Sequence, residues 1–160
     1  MELIRIEQRT PVLLRHLSEV WEQSVRATHF FLSEEEIQRL GRTLPGLLAG
    51  VPILVAAEED GLPVGFMGIN GRELEMLFLI PQARGRGWGG LMLREAVDAY
   101  GVDRLCVNEQ NPQARAFYEH MGFRVYRRAE TDPQGNPFPI LYLKRRTGGP
   151  DTESSQHETE

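Results

Sequence analysis

The sequence has a single cysteine, Cys106, among its 160 residues. It cannot staple itself with an internal disulfide, and a reducing, cytoplasmic setting is the expectation. Residues 1–20 lack the basic start and apolar core of a secretory leader, and no apolar run approaches the roughly 20 residues that span a bilayer. A soluble protein with no membrane partner is expected. His16, His120 and His157 share no spacing with Cys106 or with carboxylates that would suggest a metal site, so no metal is expected. No G-x-S-x-G or Walker loop occurs, which disfavours serine-hydrolase and P-loop chemistries. A net charge of −5 argues against nucleic acid as a partner, although Arg84, Arg86, Arg94 and Arg104 are placed to give a local positive field. No internal repeat divides the chain.

What is present suits one domain over residues 1–146. A chain of this length buries roughly 70% of its unfolded surface, enough for a core without staples. Leu3, Ile4 and Ile6 predict a first strand. Thr10-Pro11 then supply the cap and first-turn proline of a helix whose apolar face is Leu13, Leu17, Val20, Trp21 and Val25. An apolar loop, His29-Phe30-Phe31-Leu32, follows. Ser33 and Glu36 form a capping box for a second helix through Ile37, Leu40, Leu44 and Leu47, which Gly41 and Pro45 are expected to bend or break. Residues 52–58 and 63–70 read as strands around an Asp60-Gly61 turn, and Gly71-Arg72 leads into a central strand at 73–80. Residues 104–108 predict a buried strand, and Asn111-Pro112 open a helix carrying Ala114, Phe117, Tyr118 and Met121. Gly122 stops that helix. Residues 123–129 and 138–143 form a last strand pair. Residues 147–160 have no large apolar side chain and are expected to be a disordered acidic tail. The order βααβββαβαββ predicts an α/β fold, a mixed sheet covered by helices.

The informative stretch is residues 74–100. An apolar strand ends at Pro81, passes through a loop holding Gly85, Gly87, Gly89 and Gly90 between Arg84, Arg86 and Trp88, and becomes a helix with Leu93, Ala96, Val97 and Tyr100 on one face. Glycines let successive N–H groups turn toward one point and let a ligand approach the backbone. The positive end of a helix dipole arrives at the same place, so the stretch reads as a phosphate site. The letters Gly85-x-Gly87-x-x-Gly90, with Glu109 about 20 residues later, also fit a dinucleotide fingerprint. That alternative needs a run of parallel βα units, which the flanking pattern does not offer.

Ile80-Pro81-Gln82-Ala83-Arg84-Gly85-Arg86-Gly87-Trp88-Gly89 resembles the acyl-CoA signature R-x-x-G-x-G of the GCN5-related N-acetyltransferase (GNAT) superfamily. Asn111-Pro112-Gln113-Ala114-Arg115-Ala116-Phe117-Tyr118-Glu119-His120-Met121-Gly122-Phe123 is similar to its second hallmark, N-x-x-A-x-x-F-Y-x-x-x-G-F. The resemblance covers residues 3–145 and extends to small bacterial acetyltransferases. It implies a sheet of about seven strands flanked by about four helices, with acyl-CoA entering where the fourth and fifth strands splay apart. It further implies acetyl-CoA as co-substrate, an amine-bearing acceptor (small molecule, peptide or protein), and direct transfer without a covalent intermediate.

Residue by residue, the resemblance assigns pyrophosphate to the backbone of Arg84, Gly85, Arg86, Gly87, Trp88, Gly89 and Gly90. It gives pantetheine to the backbone of Leu77, Phe78 and Leu79, and further cofactor contacts to Asn111 and Tyr118. Tyr118 is the expected acid for the departing thiolate, since a phenol with a pKa of about 10 is still protonated where a thiol of about 8.5 is released. Glu73 and Glu75 are the candidate bases, and the acidic position that some relatives use on the next strand is Cys106 here, expected to be inert core. Asn108 and Glu109 are polar groups able to orient water or substrate. His29 and Phe30 stand where the family builds its acceptor wall. Trp88 either shields the phosphates or packs beneath the helix. The rival class is an acyl-CoA-binding sensor without turnover, and a nucleotide-cofactor oxidoreductase is a third. Residues 26–50 and 130–138, which would set the acceptor, carry no readable motif. The last two strands leave an edge on which a dimer can form, so monomer and homodimer both stand.

Overall fold

The computed structural model describes residues 1–146; the acidic tail expected over 147–160 lies outside the described residues. They form seven strands, four α-helices and one short 3₁₀ turn, in two compact units.

The first unit, Met1–Val102, contains β1 (Glu2–Arg5), α1 (Pro11–Thr28), α2 (Glu34–Gly50), β2 (Ile53–Glu59), β3 (Leu62–Asn70), β4 (Glu73–Leu79) and α3 (Trp88–Tyr100). β1 to β4 are joined in order as antiparallel neighbours. Asp60 and Gly61 both take positive φ, 54° and 79°, as the two-residue hairpin turn requires. The apolar stripes of α1 and α2 bury Leu17, Val20, Trp21, Val25, Ile37, Leu44 and Leu48 against Leu54, Ala56 and Phe66 of the sheet. Both caps read from the sequence form: Thr10 accepts from Leu13 N, and the Ser33–Glu36 box closes in both directions.

α2 is continuous through Pro45, so of the bend or break expected at Gly41 and Pro45 the break does not occur. A mid-helix proline costs about 3 kcal/mol, and the burial of Ile37, Leu44 and Leu48 outweighs it. Arg9, in the β1–α1 connection, adds to this. Its guanidinium donates to the carbonyls of Leu48 (3.0 Å), Ala49 (3.1 Å), Val51 and Pro52 (3.2 Å) at the end of α2, whose last turn has no basic residue of its own.

The second unit starts at Asp103 and contains β5 (Arg104–Asn108), α4 (Pro112–His120), β6 (Phe123–Ala129) and β7 (Ile140–Arg145). β7 pairs antiparallel with both β5 and β6. The first and last strands start one residue before and two after the positions read from the sequence.

Three substitutions check the packing. Arg9→Met is expected to lower unfolding free energy by about 2 kcal/mol, because charged hydrogen bonds to four carbonyls are lost. At Gly65, a Cβ would stand 2.8 Å from the Phe78 carbonyl and 2.6 Å from Leu79 Cδ2, so Gly65→Ala should destabilise by roughly 1–3 kcal/mol. Gly46→Ala, in open space on α2, should stabilise by roughly 0.4–1 kcal/mol. Chemical denaturation of the three variants measures all of these.

Candidate active site

The loop after β4 leaves a run of backbone donors open. Pro81–Ala83 form a 3₁₀ turn closed by Arg84 N donating to Pro81 O at 3.2 Å. Gly85 and Gly87 then take φ of +78°, a conformation that side chains rarely adopt. Gly87 is the N-cap of α3, has no side chain to cap it, and no acid stands in the first turn. The first helical bond, Leu91 N to Gly87 O, is 3.1 Å. Among the described residues, the N–H groups of residues 85–90 have no protein partner. A buried helix start would be penalised for this; here the residues of the turn, Gly85, Arg86 and Gly87, are exposed and present their donors to solvent.

The arginines are held rather than loose. Arg84 donates to Ser24 Oγ at 3.3 Å, reaching the one buried polar side chain of α1, and burial lowers its pKa from the ordinary value. Arg86 pairs with Glu59 at 3.3 Å and lies 5.0 Å from the Trp88 ring, so half-buried Trp88 supports a cation. Ser24 was missed in the sequence, although its signal is there: a hydroxyl on the stripe that otherwise holds Leu17, Val20, Trp21 and Val25.

β4 shows why its two glutamates differ. Gly68 pairs with Met76 and Ile69 with Leu74, so Glu75 has no partner on β3 and is a bulge residue. The bulge leaves Glu73 opposite Asn70 in the register. Exposed Glu75 accepts from Asn70 Nδ2 at 3.3 Å. It lines a hollow of about 390 Å³ with Leu47, Gly50, Val51, Pro52, Asn70 and Met76. Glu73 is half-buried, as are Leu77, Phe78 and Leu79; a fully buried strand was expected, and its C-terminal half is part open.

His29 ends α1 as its C-cap. Its Nδ1 is 2.8 Å from Thr28 Oγ1, and its ring centroid lies 5.3 Å from Phe31 and 6.5 Å from Phe78. Burial first, and then the Arg84 charge, lower its pKa to about 4, so the imidazole is neutral at physiological pH. The first unit therefore brings His29, Phe78 and Arg84 together. Phe30 beside it projects outward, 82% exposed.

In the second unit Asn111 caps α4, its Oδ1 accepting from Ala114 N at 3.2 Å. Tyr118 is buried on that helix, with Phe117 at 5.0 Å and Phe123 at 6.3 Å between ring centroids. Burial, and secondarily charge on Cys106, push the phenol pKa up, so it stays protonated throughout the physiological range. Cys106 is half-buried, more open than the inert core position expected. Asn108 Oδ1 accepts from Gln110 N at 3.1 Å and so serves the turn after β5. Glu109 grips Arg128 through two bonds of 2.7 and 2.9 Å, and that pairing lowers its pKa. No group of three or more His, Cys, Asp or Glu among the described residues is placed to hold a metal.

The depressed His29 pKa fixes a sign. Between pH 6.5 and about 4 the unfolded imidazole binds a proton that the folded one refuses, so stability present above pH 6.5 is lost as pH falls through that window. Denaturation at pH 7 and pH 4.5 should show His29→Gln losing less stability than the parent, by on the order of 2 kcal/mol.

Comparison with known proteins bears on the family and the fold. Residues 51–125 match the family model described as the acetyltransferase (GNAT) domain. The peptidyl-lysine N-acetyltransferase YjaB of Salmonella typhimurium is 40% identical over 124 residues, 78% of this chain and 86% of the relative. The apo solution structure of YjaB from Escherichia coli superposes with a TM-score of 0.81 at 34% identity, covering 92% of this chain and 98% of that one. The PaiA N-acetyltransferase of Thermoplasma acidophilum, solved in complex with coenzyme A, gives 0.67 at 25% identity over 90% and 99%. Sequence and fold together establish that this chain belongs to the GCN5-related N-acetyltransferase family.

Proposed function

We propose that this protein is an acetyl-CoA-dependent N-acetyltransferase that modifies lysine side chains of peptides or proteins, in the cytoplasm, with residues 1–146 as the catalytic domain. The observation that carries the reading is the row of unpartnered N–H groups at residues 85–90, a fit for the pyrophosphate of coenzyme A. The half-buried stretch Leu77, Phe78 and Leu79 leads away from that cradle toward Glu75, about 13 Å down the strand from Leu79 at the usual rise per residue. The peptidyl-lysine activity named for the YjaB relatives supports the acceptor class.

Acetyl-CoA supplies the thioester acetyl group; the remaining work falls to the chain. Aligning two bound reactants is worth up to about 7–11 kcal/mol. A lysine ammonium must lose a proton before it can attack, at a pH about three units below its pKa. Glu75 supports that step: its carboxylate faces the hollow, whose Leu47, Val51 and Met76 suit the methylene stem of a lysine. Glu73, opposite Asn70 in the register, is the second candidate. Tyr118 holds a proton at Oη for the sulfur that leaves. Its raised pKa makes full transfer to a thiolate uphill, so its contribution is a hydrogen bond to the developing charge rather than complete protonation.

Steady-state acetylation of a lysine peptide tests the roles. Tyr118→Phe should lower kcat roughly 10- to 100-fold with the KM for acetyl-CoA nearly unchanged. Glu75→Gln should lower kcat/KM at pH 7 and recover toward the parent as pH approaches the lysine pKa. Acetyl-CoA binding with no transfer to any amine would instead identify a sensor, and rescue by pH in Glu73→Gln alone would assign the base to Glu73.

A further inference from the structure

The three strands of the second unit have two unlike faces. Register places Leu105, Val107, Leu141, Leu143, Phe123 and Val125 on one side, and α4 packs there through the Tyr118–Phe123 contact. On the other side Arg104, Lys144 and Arg124 stand directly opposite one another across all three strands. In the adjoining row Cys106, Tyr142 and Arg127 do the same. Like charges facing each other across a sheet are destabilising, so a row of three is not what stability alone would select.

The neighbouring acids do little to neutralise this face. Asp103 pairs with Arg104 at 2.8 Å. Glu109 and Glu130 are both taken by Arg128, which register puts on the opposite side. Arg124 has no ion-pair or hydrogen-bond partner among the described residues. Arg127 is exposed and lies 3.9 Å from the Tyr142 ring centroid, and Lys144 is 4.4 Å from that of Tyr126. Arg127 and Lys144 are thus each propped on an aromatic ring of the same face. The same stacking covers the ring faces that bases would need, which favours a carboxylate-bearing partner over single-stranded nucleic acid.

We propose that this basic face of β5, β7 and β6 docks an acidic polypeptide segment, selecting acceptor lysines with aspartate or glutamate nearby in sequence. The inference rests on the peptide-lysine reading only for what happens to the bound segment; docking itself needs neither acetyl-CoA nor turnover. Guanidinium groups suit carboxylates because their planar donors bind both oxygens. Rows two residues apart along the strands offer two sets of such donors to an extended segment.

Fluorescence anisotropy of a labelled lysine peptide flanked by glutamates, compared with its glutamine counterpart in the absence of acetyl-CoA, is the test. At low salt the glutamate peptide should bind about tenfold tighter, and the advantage should shrink as salt rises. Arg124→Glu combined with Arg127→Glu should abolish the preference while the melting temperature and acetyl-CoA binding persist. Arg39→Glu, on α2, should leave it intact. Equal affinity for the two peptides, a preference that survives the double reversal, or tighter binding of a single-stranded oligonucleotide lost in the same variant would each overturn the proposal. An inactive protein that keeps the charge preference would sink the catalytic reading alone; an active enzyme without it would sink this inference alone.

Discussion

The structure depends on a set of hydrogen bonds that the chain does not make with itself. Every α-helix starts with N–H groups that lack an intrahelical partner, and three of the four helices here answer with a side chain: Thr10, Ser33 and Asn111. α3 does not. Its cap is Gly87 in the left-handed region, preceded by Gly85 in the same conformation, and its first turn is free of acids that would compete for the donors. In the proposed reading the exception marks the place where a ligand takes the part of the missing cap, and the strand, the 3₁₀ turn and the glycines before it hold that opening in position.

The charges around the cradle are arranged to keep it rigid. Arg84 is tied to α1 through Ser24, and Arg86 rests on Trp88 and Glu59. Neither side chain is a loose cation waiting for phosphate. In the proposed reading the backbone is the primary ligand, and the arginines fix the loop while lending it positive potential, which lowers the ordering cost when a ligand arrives. His29, kept neutral by burial and by Arg84, adds no competing charge to the aromatic wall beside Phe78. A β-bulge at the far end of the same strand separates Glu73 from Glu75 and opens the latter onto its own hollow.

Local chemistry was legible in the sequence where one or two residues decide it. The Asp60-Gly61 turn, the Ser33–Glu36 box, the Asn111-Pro112 helix start and the glycine loop each impose their geometry through backbone constraints, and each formed. The breaks in legibility share a cause, which is that tertiary contacts decided them. Pro45 was expected to bend or break α2, but distant Arg9 and the core keep the helix continuous. The bulge at Glu75 cannot be read from residues 73–79, because it exists only as a mismatch with β3. Two carboxylates that alternate in sequence therefore differ in the ladder, Glu73 opposite Asn70 and Glu75 in the bulge. Asn108 and Glu109 looked free in one dimension and are held by Gln110 and Arg128. The basic face of the second unit was equally hidden, since Arg104, Arg124 and Lys144 become neighbours only when three strands are in register.

The most direct measurement is isothermal titration of the protein with acetyl-CoA, with NADH and ATP as comparisons, on the parent, Gly87→Ala and Gly87→Glu. Open space surrounds Gly87, so alanine imposes the strain of a positive φ and little else, while glutamate also sets a carboxylate among the free N–H groups. Micromolar binding of acetyl-CoA in preference to NADH and ATP, weakened in Gly87→Ala and lost in Gly87→Glu with the fold intact, is the result the account predicts. No acetyl-CoA binding, a preference for NADH, or full affinity retained in Gly87→Glu would contradict it.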